Sequence, residues 1–191
     1  MDIDIDVADR NVLLDLITHR IAKLESGKVH STGVYFNEIP HNPFTNVATI
    51  DHKTAESRGY FKIDVLNVSI YRDVESNEHM DELVSREPIW ELLQHPEVVT
   101  NLFHVSNHSA ILKKLKPQSI EELAIALAII RPAKRYLLNK DWDTIRQEVW
   151  QKPANGEYHF KKSHSFSYAL AVVVHLNLLC EQLLKMNDET P

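Results

Sequence analysis

Three aspartates alternate with apolar residues at the start of the chain, in the run Asp2-Ile3-Asp4-Ile5-Asp6-Val7. In an extended strand, successive side chains point to opposite faces, so Asp2, Asp4 and Asp6 share one side and Ile3, Ile5 and Val7 the other. Further on, Phe61-Lys62-Ile63-Asp64-Val65 repeats the pattern, with Lys62 and Asp64 together on one face. Side chains two apart on a strand are about 6.6–6.8 Å apart at Cα. If the two strands pair, Asp64 can therefore face Asp4 and Asp6. Several carboxylates at one place repel one another unless cations sit among them. Two Mg²⁺ ions about 3.5–4 Å apart, held by aspartates, activate a 3′-hydroxyl and stabilise the leaving oxygen in nucleotidyl transfer, with a nearby lysine offsetting triphosphate charge. Mn²⁺ can take the same place. The plainer reading of an alternating aspartate strand is a solvated polar face.

The elements that must position these residues follow from periodicity. Residues 12–24 carry Val12, Leu13, Leu16, Ile17, Ile21 and Leu24 at helical spacing, with Asp9 or Asn11 as the cap, which predicts a helix after the first strand. Residues 33–36, 46–50 and 60–68 read as further strands, broken by Pro40, Pro43 and Gly59. After Tyr71 the pattern becomes one of short helices over residues 80–84, 89–93, 98–103, 110–115, 120–130 and 142–150, with Pro88, Pro96, Pro117, Pro132 and Pro153 near their ends. Residues 165–184 form a long apolar stretch that His175, Asn177 and Glu181 interrupt, short of the ~20 apolar residues of a membrane span. A buried helix is expected there, with His175 as a satisfied core histidine and Trp90, Trp142 and Trp150 as core packing. The expectation is an α+β chain: a small sheet carrying carboxylates in residues 1–72, then a mostly helical region in residues 73–191.

Composition narrows the function classes. The 191 residues are 43% hydrophobic and 25% charged, which suits a folded chain with its own core. The single cysteine, Cys180, closes no intrachain disulfide, and the acidic opening is unlike a secretory signal, so a cytoplasmic protein without a membrane partner is expected. A net charge of −6 argues against a protein that coats nucleic acid. Its distribution is uneven: residues 1–103 carry −9, residues 104–162 carry +5 and residues 163–191 carry −2. An acidic half before a basic stretch suits a carboxylate site beside a phosphate-binding surface.

Several segments, in order, resemble the catalytic alpha subunit of bacterial DNA polymerase III, the C-family replicative polymerases. Residues Asp2 to Arg10 are similar to that family's Pro-Asp-Ile-Asp-Ile-Asp-Phe strand, whose last two aspartates bind metal and fall on Asp4 and Asp6. Phe61-Lys62-Ile63-Asp64-Val65-Leu66 resembles the Lys-Phe-Asp-Phe-Leu strand, placing the third catalytic aspartate on Asp64 and its basic neighbour on Lys62. Lys28-Val29-His30-Ser31-Thr32-Gly33-Val34 is similar to the His-Ala-Ala-Gly-Val segment. Leu115-Lys116-Pro117 and Ile130-Arg131-Pro132 resemble the Leu-Lys-Pro…Arg-Pro-Gly-Pro stretch of the fingers. Phe160-Lys161-Lys162-Ser163-His164-Ser165-Phe166-Ser167-Tyr168-Ala169-Leu170 resembles the fingers signature Phe-Asn-Lys-Ser-His-Ser-x-x-Tyr-Ala-Leu, the most specific of the matches.

The resemblance implies a truncated palm-and-fingers form, compact enough for a phage genome and working in a bacterial or phage-infected cell. It further implies Asp4, Asp6 and Asp64 as catalytic and metal-binding residues, two Mg²⁺ as cofactors, and primer-template DNA with a dNTP as substrates. Arg131, Lys162 and His164 would meet the triphosphate, together with Lys62. The chain departs from the family at named places. Arg131-Pro132-Ala133-Lys134 lacks the Gly-Pro, the family's Gly-Ser nucleotide-binding segment has no counterpart, and about two dozen residues stand where a helical thumb would lie. A partner chain, another subunit or a separately encoded half, is expected to supply those parts. Two other readings differ in class. One is a non-catalytic replication factor derived from palm and fingers, in which the aspartates are incidental. The other is a metal-dependent nuclease, for which the eleven histidines offer no His-x-His or His-Glu-x-x-His spacing.

Overall fold

The computed structural model describes residues 3–153 and 160–188. The fold is α+β, a four-stranded mixed sheet with helices, and divides into two compact units, Met1–Arg72 and Asp73–Pro191.

In the first unit, strands β1 (Ile3–Val7), β2 (Arg20–Lys23), β3 (Val29–Tyr35) and β4 (Ile63–Asn67) are arranged in the order β1-β4-β3-β2. β1 and β4 run parallel, and the other two pairings are antiparallel. Helix α1 (Arg10–Leu16) follows β1, capped by Asp9, whose carboxylate accepts from the Asn11 N–H. The helix predicted over residues 12–24 is corrected: it stops at Leu16, Ile17 is extended, and the second half of the span is β2. The β-branched run Ile17-Thr18 and then Ile21 favours the pleated conformation, and the apolar spacing serves both periods. Helix α2 (His52–Ser57) is capped by Asp51, whose hydrogen bonds to Thr54 and Lys53 hold its carboxyl down at about 2.

Each sheet face has its own apolar cluster. Leu14, Val34 and Val65 are buried together on one side, with Val7, Leu13, Phe36 and Ile63 packed around them. Ala22, Tyr35, Ile39, Ala48 and Ala55 are buried on the other. Residues 46–50, expected as a strand, make only single bridges, Ile21 to Val47 and His41 to Ala48. The strand expected over 60–68 is shorter, so Lys62 stands just ahead of β4.

The second unit is helical: α3 (Asn77–Ser85), α4 (Pro96–Val99), α5 (Ser109–Leu115), α6 (Ile120–Ile129), α7 (Trp142–Glu148) and α8 (Lys162–Asp188), with 3-10 turns at Trp90–Gln94 and Pro132–Asn139. Ser119 caps α6 by accepting from the Glu122 N–H, while the Glu122 carboxylate accepts from the Gln118 N–H, closing both ends of the first turn. From Leu123 to Ile129 every residue of α6 is buried, the pattern of a helix packed all round. α8 lies against it with Ala169, Val172, Val173 and Leu176 in the same core. By length and composition α8 is long and apolar enough to cross a membrane, a test that the core helix of a folded domain also passes. Trp90 is buried, and Trp142 and Trp150 pack against the core from its margin.

Candidate functional site

The carboxylates of the first unit are set by the β1–β4 pairing. Asp4 is the Cα partner of Asp64 and Asp6 that of Leu66, so Asp4, Asp6 and Asp64 project from one face of two adjoining parallel strands. Asp2 lies outside the described residues. Asp4 and Asp6 are exposed on the edge strand, whereas the Asp64 side chain is only 15% exposed.

Asp64 is held from several sides. The Lys62 Nζ donates to its Oδ2, and the Thr32 Oγ1 donates to its Oδ1 at 2.8 Å. The His30 Nδ1 stands 3.7 Å from the same Oδ1. That nitrogen accepts the Gly33 N–H at 2.9 Å, so His30 is neutral with its proton on Nε2. Burial lowers the His30 pKa, the Lys62 charge lowers it further, and Asp64 pulls it back up. The His52 ring meets His30 edge to face at 5.7 Å.

Two features of β3 create this arrangement. Ile21 opposes Val34, so a regular antiparallel ladder would set Lys23 opposite Thr32; instead it opposes Val29, and the irregularity turns Thr32 and His30 toward Asp64. Gly33 is the Cα partner of Asp64, and a Cβ there would come 2.8 Å from Lys62 Cδ and 3.1 Å from both Ala22 Cβ and His30 Cγ. The missing side chain is the groove along which the lysine stem lies. Parity in the sequence pairs Lys62 with Asp64, but Thr32 and His30 belong to the opposite parity from Gly33 on β3, and nothing local signals the irregularity.

The residues expected to meet phosphate belong to the second unit. Arg131 follows α6; its Nη2 donates to the His104 Nε2 at 2.9 Å, its guanidinium lies 4.8 Å from the centre of the Phe160 ring, and its Nε is enclosed without a hydrogen-bond partner. Lys162 opens α8 with its ammonium 5.7 Å from the Phe166 ring and 6.0 Å from that of Trp150. The His164 ring stands 6.3 Å from Phe160. Both cations thus rest over aromatic faces. His104, absent from the sequence reading, is pushed down to about 4 by burial, then by Arg131 and His108, so it is neutral and accepts from the arginine. His175 meets its expectation as a satisfied core histidine: its Nδ1 accepts the Phe103 N–H at 2.9 Å.

In donor type, three carboxylates on one face suit a hard divalent cation. In arrangement, no three His, Cys, Asp or Glu side chains among the described residues are grouped to hold a metal ion. The Asp64 carboxylate is already matched by a lysine ammonium and a hydroxyl, so a cation at Asp64 has to compete with Lys62. In comparison with known proteins, no family model and no curated protein matches the chain.

Proposed function

We propose that the chain is a DNA polymerase III alpha-like component, transferring nucleotides from dNTPs to a DNA primer during replication in the cytoplasm of a bacterial or phage-infected cell. The observation that supports it is the register setting Asp4 abreast of Asp64, with Asp6 two residues along on the same face. Asp4, Asp6 and Asp64 would hold Mg²⁺ or Mn²⁺, which when bound supplies activation of the 3′-hydroxyl and neutralisation of the leaving phosphate. Lys62 supplies positive charge at Asp64 in the absence of a cation and is free to meet phosphate once a cation takes its place. Arg131, Lys162 and His164 take phosphate charge on the substrate, Arg131 through its planar fork and Lys162 as a point charge. Between β1 and His30 the chain has room only for α1 and β2, so a partner chain supplies the grip on primer-template.

The match of Asp64 by Lys62 and Thr32 favours a second reading, a replication factor of the same descent in which the aspartates bind no metal. Calorimetry with Mg²⁺ and Mn²⁺ separates the two. Polymerase chemistry requires cation binding that Asp4→Asn removes, and an identical null titration for both proteins leaves the factor. Product analysis on primer-template with dNTPs is expected to show little extension by the isolated chain, extension that Asp64→Asn abolishes once the partner is added, and no shortened products. Shortened products instead mark a nuclease.

A further inference from the structure

In the helical unit the surroundings of Arg131 are constrained, and the constraint comes from His104. His104 has φ +65°, a left-handed conformation that a residue with a Cβ adopts at a cost. Two contacts to α8 impose it. The Phe103 N–H donates to His175 Nδ1, and the His104 ring stacks on Tyr168 with centroids 4.3 Å apart and planes 11° from parallel. Tyr168 and His175 are seven residues apart on α8, two turns along one face, so they grip the segment at two points. Ring and backbone being fixed, the His104 Nε2 has one direction in which to accept, and Arg131 Nη2 stands there at 2.9 Å. Phe160 covers the guanidinium from a different side. No carboxylate among the described residues pairs with Arg131: its guanidinium donates instead to a neutral ring nitrogen, which orients the fork without neutralising its charge.

We propose that His104 is a positioning residue for Arg131, holding the guanidinium at a fixed angle, still fully charged, to receive a polyphosphate. This rests on the reading of Arg131 as a phosphate ligand. A carboxylate in the same place would orient the arginine equally well but cancel the charge that recruits the anion. A neutral imidazole orients it alone, and the strained backbone is what keeps that imidazole in place.

The full chain, titrated with inorganic tripolyphosphate, provides the test, with nitrogen NMR of the histidine ring as a readout that needs no ligand. The wild type should show His104 with its proton on Nδ1, and Arg131→Gln should lose tripolyphosphate binding. His104→Phe keeps a ring to stack on Tyr168 and removes the acceptor; it should weaken binding roughly tenfold, the order expected for one lost charge-assisted hydrogen bond. His104→Gln, which returns an acceptor near the Nε2 position, should recover most of that loss. The Gln variant gives up the stack on Tyr168 that the Phe variant keeps, so tighter binding by His104→Gln than by His104→Phe is credited to the acceptor. If His104→Phe binds as tightly as wild type while Arg131→Gln does not bind, the positioning role is overturned and the phosphate role of Arg131 survives. Unchanged binding by Arg131→Gln overturns the phosphate role, and the proposal with it. Should His104→Phe fail to fold, a tenfold or greater weakening by His104→Gln, or a wild-type proton on Nε2, is equally fatal.

Discussion

Gly33 is the residue on which the Asp64 environment turns, and it does so by having no side chain. Its φ is not in the left-handed region; the requirement is space, since Lys62 crosses the strand where a Cβ would stand. Gly33→Ala should cost about 1–3 kcal/mol by overpacking. Because the closest clash is with Lys62 Cδ, the cost should shrink in a Lys62→Ala background, where that atom is gone. A double-mutant cycle by urea unfolding measures this, and an equal cost in both backgrounds would show that Ala22 and His30, each 3.1 Å away, set the limit instead. The pairing of Lys62 with Asp64 is legible from alternation alone. The Thr32 hydroxyl is not, because an irregular strand breaks the rule by which faces are counted.

At the scale of elements, long apolar stretches with clear caps were readable and short mixed ones were not. α6 announces itself through Ser119, Glu122 and an unbroken apolar run. The segment after α1 does not, since Ile17 and Ile21 fit a helix face and a strand equally. α3 shows an element finished from a distance: the buried Asn177 on α8 donates its amide to Leu83 O at 2.9 Å and Arg86 O at 3.1 Å, taking carbonyls that a helix end leaves open. Asn177→Leu is expected to lower stability by about 1–3 kcal/mol by stranding both acceptors, and hydrogen exchange should show α3 opening more readily while α6 stays protected. Uniform loss across both helices would mean that Asn177 matters as packing rather than as a cap.

For the molecule as a whole, the response to acid reads out contacts between remote parts of the chain. Burial raises the Glu181 pKa, but hydrogen bonds from Arg86 at 2.7 Å and His79 at 3.0 Å, with their charges, outweigh it and leave the group lowered. A carboxylate lowered on folding stabilises above its unfolded pKa and loses that contribution as pH falls through the folded value. Glu181→Gln should therefore cost about 1–3 kcal/mol near pH 7, with the gap to wild type closing below about pH 4.5. His104 acts in a separate window. Held neutral down to about 4, it makes the unfolded chain the better proton binder, so stability falls as pH drops from about 6.5 toward 4. His104→Gln should make that limb shallower, the lowered His30, His108 and His175 supplying the rest, and leave the Glu181 limb intact; thermal unfolding across pH 3–8 distinguishes them.

Alternation along residues 2–7 and 61–65, caps before apolar runs, and the shift from period two to period 3.6 after Tyr71 are properties of neighbouring residues, and local rules suffice for an α+β chain with carboxylates on one strand face. Which strand lies beside which, and what turns toward Asp64, depends on residues far apart in sequence: a parallel β1–β4 pairing across some sixty positions, an irregular β3, and a glycine left empty for a lysine stem. His104 belongs to the same category, because its ring is aimed by α8 about seventy residues later and its partner lies at the end of α6. Side-chain periodicity is written by the chain's own geometry, whereas the partners of a buried charge are chosen by desolvation, which acts only once distant segments have closed around it.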